Sequence, residues 1–155
     1  MKILIPMAGE GSRFAKEGYT FPKPLIDVRG KPMIQKVVEN LDFVSEYIFL
    51  VRKKHIEQYA GLLDTLNQIT NNSCKIVEVD SLTEGAACTA LLAKEFIDND
   101  EDLLIANSDQ FIEYQRQNFI SMRSMTDVDA IVWTFNAVHP KWSFVKTNAR
   151  GFITE

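Results

Sequence analysis

Two glycines, Gly9 and Gly11, and two cations, Arg13 and Lys23, share residues 6–25, which read PMAGEGSRFAKEGYTFPKPL. Glycines let backbone N–H groups approach an anion closely and cations neutralise it, so this is a pattern for holding phosphates. Arg13 stands two residues past Gly11, and its planar fork suits phosphate oxygens. Lys23 lies between Pro22 and Pro24, whose fixed φ stiffens the chain and pre-positions the charge. The stretch is not a Walker A loop, because no Lys-Ser/Thr pair follows its last glycine. It is not a dinucleotide fingerprint either. Phe14 occupies the place of the third small residue, and Gly18, Pro22 and Pro24 forbid a long helix.

Such a loop needs a scaffold, and the apolar patterning supplies one. Residues 2–7 (KILIPM) and 46–52 (EYIFLVR) read as buried strands, and 74–79 (CKIVEV) and 103–106 (LLIA) as a third and a fourth strand. Residues 25–28 (LIDV), 129–135 (DAIVWTF) and 142–146 (WSFVK) read as further strands. Apolar residues recur at helical spacing over 34–43 and 54–68, residues 84–97 read as a helix rich in small residues, and 114–125 also reads as helical. Strands alternating with helices predict an α/β fold, a three-layer α/β/α sandwich with a mostly parallel sheet covered on both faces. In such sheets ligands gather beyond the carboxyl ends of the strands, so the loops after Met7, Val79 and Ala106 are expected on one rim.

The totals bound the function. The 155 residues carry a net charge of −4, which argues against a general nucleic-acid binder. The charge is uneven: residues 1–36 hold seven Lys/Arg against three Asp/Glu, leaving ten against eighteen for the rest. A basic head on an acidic body points to a local anion site. No apolar run reaches membrane-spanning length and no secretory signal is visible, so no membrane partner is expected. Cys74 and Cys88 are too few and too isolated for a disulfide framework or a zinc site, which suggests the cytoplasm. His55 and His139 lack partners at ligand spacing.

The pattern PMAGEGSRF…FPKPL, continued by LIDVRGKPMI, resembles the signature of the nucleotidyltransferases that include the nucleoside-diphosphate-sugar pyrophosphorylases. Those proteins carry a strand, a G-x-G-[ST]-R-[FLM] loop and a P-K-x-L segment about ten residues later. The resemblance implies a Rossmann-like nucleotide-diphospho-sugar transferase fold. It implies transfer of a nucleoside monophosphate from a nucleoside triphosphate to a sugar phosphate, or a related phosphorylated acceptor, with release of pyrophosphate. The attacking group is already anionic, so alignment and charge neutralisation replace a general base.

By the same resemblance, Arg13 stabilises the leaving pyrophosphate and Lys23 contacts the acceptor phosphate or the α-phosphate. Ala8, Gly9, Gly11 and Ser12 contact the nucleotide, and the segment DSLTEG brings Asp80, Glu84 and Gly85 to the nucleobase. The family more often has an amide in the place of Asp80, so base identity stays open. Asp109, in NSDQ, corresponds to an aspartate that holds Mg²⁺, the implied cofactor. Members of the family are longer, and the resemblance places the acceptor pocket and a second metal-holding aspartate past residue 155. Residues 1–155 are therefore read as one nucleotidyltransferase-like domain lacking part of its acceptor-binding segment. Two alternatives stand beside this: a non-catalytic nucleotide-binding or assembly domain, and a metal-dependent glycosyltransferase, disfavoured because NSD is not D-x-D. Self-association is left open.

Overall fold

The computed structural model describes residues 1–9 and 22–154, in two units, Met1–Glu113 and Tyr114–Glu155. The first unit is built on four parallel strands: β1 (Lys2–Pro6), β2 (Glu46–Arg52), β3 (Cys74–Val79) and β4 (Leu103–Ile105). Their order across the sheet is β3-β2-β1-β4. Lys2 aligns with Glu46 on one side of β1 and with Leu103 on the other. The chain thus winds outward from β1 to β3 and then returns to the far side of β1. That reversal makes the carboxyl ends flanking β1 a topological switch point, where open α/β sheets bind ligands.

Both sheet faces are apolar, as a sheet covered by helices requires. On one face Leu4, Ile48, Leu50 and Val79 pack with Ala90 and Ala93. On the other, Ile3, Ile5, Phe49 and Val51 are fully buried. Helix α1 (Met33–Leu41) buries Ile34, Val37, Val38 and Leu41, the helical stripe expected from its sequence. It follows a turn in which Asp27 and Pro32 form a single antiparallel bridge.

Four expectations are corrected. Residues 25–28 are not a strand: Lys23–Leu25 is a 3-10 turn. Pro24 and Pro32 lack N–H donors, so no ladder propagates from the Asp27 bridge. The helix expected over 54–68 is two, α2 (Lys53–Gln58) and α3 (Leu62–Ile69), divided by Gly61 at φ 91°. The helix expected over 84–97 is also two, α4 (Ala86–Leu91) and α5 (Lys94–Ile97). The junction is tightened by Leu92 N–H to the Thr89 carbonyl and Ala93 N–H to that of Ala90, bonds of the 3-10 type.

The fourth correction lies in the second unit. Residues 129–135 and 142–146 form no strand; the ordered pairing among the described residues there is one bridge, Thr147 to Ile153. A strand exists only through its ladder, and alternating apolar residues do not make one without a paired neighbour. The aromatic residues pack by rings instead. Trp133 meets Phe119 of α6 (Arg116–Arg123) at 4.8 Å and Tyr114 at 5.4 Å between centroids. Among the described residues no helix is long and apolar enough to cross a membrane.

Candidate functional site

The loops after β1 and β3 enclose a cavity of about 280 Å³. Pro6, Ala8 and Gly9 line it from the end of β1, and Val79 from the end of β3. Ser81, Leu82, Thr83 and Gly85 form the connecting segment, and Ala86 and Thr89 contribute from α4. The lining side chains are mostly small and uncharged. Gly85 is extended, with φ 177°, and a Cβ built there would meet nothing within 4 Å. Its absence of a side chain leaves open space.

Two threonines hold the wall. The Thr83 and Thr89 hydroxyls are 2.5 Å apart, and each lies 3.1 Å from the Gly85 carbonyl oxygen. One hydroxyl donates to the carbonyl and the other to its neighbour, so the connecting segment is tied to the first turn of α4 on both sides of Gly85. Neither threonine was expected from the sequence. Thr83 stands two residues before Gly85 and Thr89 four after it, a spacing that carries no signal of its own until the segment folds.

On the other side of β1 lies a charged pair. Lys23, in the 3-10 turn, forms an ion pair with Asp109, which follows β4. Pro24 is buried and anchors the turn, while Leu25 N–H donates to the Pro22 carbonyl at 2.8 Å. The Asp109 loop is reached through Ala106, whose N–H continues the β1–β4 ladder to the Leu4 carbonyl at 3.0 Å. It is braced by Asn107 Nδ2 donating to Gln110 Oε1 at 2.9 Å. The side chains of Lys23 and Asp109 are 29% and 30% exposed, shielded but open to a ligand.

The structure thus gathers Ala8, Gly9 and Gly85 at one cavity and Lys23 with Asp109 at the adjoining rim. Asp80 and Glu84 are not among the residues lining the cavity. The Asp80 side chain is 84% exposed, with its carboxylate 3.9 Å from Lys53 Nζ. Glu84 is exposed. Gly11, Ser12 and Arg13 lie outside the described residues. Among the described residues no three His, Cys, Asp or Glu side chains gather as a metal cluster. Asp109 by itself offers a hard carboxylate oxygen, which fits a divalent cation that takes its remaining ligands from phosphates and water.

Residues 2–143 match the family model for nucleotidyl transferases. The chain belongs to the nucleotidyl transferase family. This nucleotidyl transferase chain is 26% identical over 123 residues to the bifunctional protein GlmU of Methanocaldococcus jannaschii, covering 79% of itself and 28% of that protein. It is similar in structure to the nucleoside-diphosphate-sugar pyrophosphorylase of Vibrio cholerae RC9, with a TM-score of 0.75 at 28% identity. That likeness covers 96% of the chain and 62% of the pyrophosphorylase. HddC of Yersinia pseudotuberculosis, complexed with GMP-PN, shares the fold with a TM-score of 0.61 at 20% identity, over 79% of this chain and 54% of that one. The chain therefore spans less than two thirds of the length of each of these proteins.

Proposed function

We propose that this chain binds a nucleoside triphosphate and takes part in transferring its nucleoside monophosphate to a phosphorylated acceptor of the sugar-phosphate class. The observation that carries this is the convergence at the carboxyl ends beside β1. A small, uncharged cavity lies on one side and the Lys23–Asp109 pair on the other. The first suits a nucleobase, the second a chain of phosphates. The sugar-phosphate acceptor is supported by the similarity to the Vibrio cholerae pyrophosphorylase.

In the proposed reaction a phosphate oxygen of the acceptor forms a bond to the α-phosphorus. The bond from that phosphorus to the bridging oxygen of the β-phosphate breaks, and its electron pair leaves with pyrophosphate. The attacking oxygen is already anionic, so no protein base is needed. Lys23 draws the acceptor phosphate or α-phosphate toward the reacting centre and offsets the repulsion between two anions. Ala8 and Gly9 let the nucleotide lie against backbone, and Gly85 leaves room for the base. Arg13, by its fork, is assigned to the β- and γ-phosphates. Asp109 is the residue that would hold Mg²⁺, with phosphate oxygens completing the shell. Bound there, the ion supplies charge neutralisation of the triphosphate. The free thiols of Cys74 and Cys88 support a reducing, cytoplasmic setting.

The test is pyrophosphate release. The chain is mixed with Mg²⁺, each nucleoside triphosphate in turn and a panel of sugar 1-phosphates, and the release is assayed. Release that depends on both substrates is expected. Triphosphate binding with silence across the panel would instead favour a binding role without turnover.

A further inference from the structure

Asp109 stands in a segment, residues 106–115, that is neither helix nor strand. Past the Ala106 N–H no ladder fixes its course, so side chains must set where the Asp109 carboxylate points. One side chain grips both backbone groups of a single residue in this segment. Asn40, next to last in α1, donates from Nδ2 to the Ile112 carbonyl at 2.9 Å, and its Oδ1 accepts from the Ile112 N–H at 2.8 Å. A carboxamide has a donor side and an acceptor side, and here both go to one residue that is three past Asp109 and half-buried. The exchange stands in for a rung of the ladder that ended at Ala106. The first residue of α1 reaches the other half of the ion pair. Met33 N–H donates to the Ile26 carbonyl at 2.9 Å, and Ile26 N–H to the Lys23 carbonyl at 3.2 Å. Between its ends α1 is held in the core by Ile34, Val37, Val38 and Leu41. One anchored helix therefore carries the Lys23 turn at its start and the Asp109 segment at its end. Asparagine is a weak helix former, so α1 itself gains nothing from it here.

We propose that Asn40 is a positioning residue that holds the Asp109 carboxylate against Lys23, and so sets how readily the site exchanges that ion pair for a bound phosphate. The inference rests on the triphosphate-binding reading above and deepens it. With both bonds to Asn40 lost, the Ile112 N–H and carbonyl turn to water and the segment is no longer tied to α1. Asp109 then spends less time against Lys23, and its competition with an anion for the ammonium weakens. Asn40 touches neither charge and acts through the backbone that carries Asp109.

The test measures binding of inorganic pyrophosphate to the full chain in EDTA by titration calorimetry. It compares the natural protein, Asn40→Ala, Asn40→Gln, Asp109→Asn and the two double variants, with circular dichroism showing that each is folded. Asn40→Ala is expected to tighten pyrophosphate binding about threefold or more, the scale of one net hydrogen bond. In the Asp109→Asn background, where the competing carboxylate is already gone, it should change nothing further. Asn40→Gln keeps both groups on a longer arm and should fall between Asn40→Ala and the natural protein. A purely structural Asn40 would leave the affinity where it is, or change it equally with and without the Asp109 carboxylate, and either result overturns the proposal. Should Asn40→Ala not fold, Asn40→Gln decides. Tightening that disappears in Asp109→Asn supports the proposal, and affinity equal to that of the natural protein overturns it. Pyrophosphate binding that Asp109→Asn does not tighten also overturns it and leaves the triphosphate reading standing. Failure of every variant to bind pyrophosphate in EDTA and triphosphate in Mg²⁺ overturns both.

Discussion

Lys23 and Asp109 neutralise each other across the β1–β4 side of the site, the lysine on a proline-flanked 3-10 turn and the aspartate just past β4. The groups proposed to meet phosphate and metal are thus each other's partner, and a ligand for one must displace the other. A metal ion drawn to Asp109 weakens its hold on Lys23, so cation and phosphate are expected to bind with positive coupling. Asp109→Asn should raise the affinity for inorganic pyrophosphate in EDTA several-fold while lowering pyrophosphate release with substrates by about 100-fold or more. Its effect on stability should stay under about 1 kcal/mol, because both side chains are nearly a third exposed. An unchanged pyrophosphate affinity would mean that the pair is not in competition with anions.

Gly85 offers a way to separate the cavity from the fold. Its φ of 177° is available to any residue, and an added Cβ meets nothing within 4 Å. Gly85→Ala and Gly85→Val should therefore leave the unfolding free energy in urea within about 0.5 kcal/mol of that of the natural protein. Both fill space in the lining, so triphosphate affinity should fall, more for Val than for Ala. Parallel loss of affinity and stability would assign Gly85 to the scaffold instead.

His55, at the start of α2, is held below the ordinary histidine range, first by burial and then by the charges of Arg52 and Lys54. The fold thus favours the neutral ring, and the unfolded chain binds the proton more readily. Stability from this residue is present above the unfolded value of 6.5 and is lost as pH falls through it toward the folded value. The urea midpoint should decline between about pH 7.5 and pH 5, and His55→Gln should remove part of that slope. Arg52→Met should move the His55 midpoint upward in an NMR titration, though not fully back, since burial remains the larger cause. A midpoint unmoved by Arg52→Met would separate the two groups.

The four parallel strands were legible as short runs rich in apolar residues: β1 and β2 are continuous, the mark of a strand buried on both faces, while β3 keeps Ile76, Val77 and Val79 around exposed Lys75 and Glu78. Lys23, Asp109 and the glycine-bearing loop ends were legible because their chemistry is local: charge, proline and glycine act where they stand. Thr83 and Thr89 were not, since their hydroxyls meet each other and the Gly85 carbonyl only once the segment after β3 has folded onto α4. Residues 129–135 misled for the converse reason. Their apolar pattern permits a strand, but a ladder depends on a neighbour that pattern cannot name.

Gly61 shows a further limit of periodicity and sets a last test. Apolar positions run at helical spacing through 54–68, yet Gly61 takes φ 91° and restarts the helix: Leu62 N–H bonds back to Tyr59, and Thr65 N–H and Oγ both donate to the Gly61 carbonyl at 2.9 Å. The break lets α3 bury Leu62 and Leu66 while α2 buries no residue. An added Cβ at Gly61 meets nothing within 4 Å, so any penalty comes from backbone conformation alone. Gly61→Ala should cost about 1–2 kcal/mol in urea unfolding, and Gly61→Asn less, because asparagine tolerates the left-handed region. Valine should cost most, since branching adds strain at positive φ. If Gly61→Ala proves neutral or stabilising, with greater helical circular dichroism, the two helices have fused and the break is a weak preference of the chain.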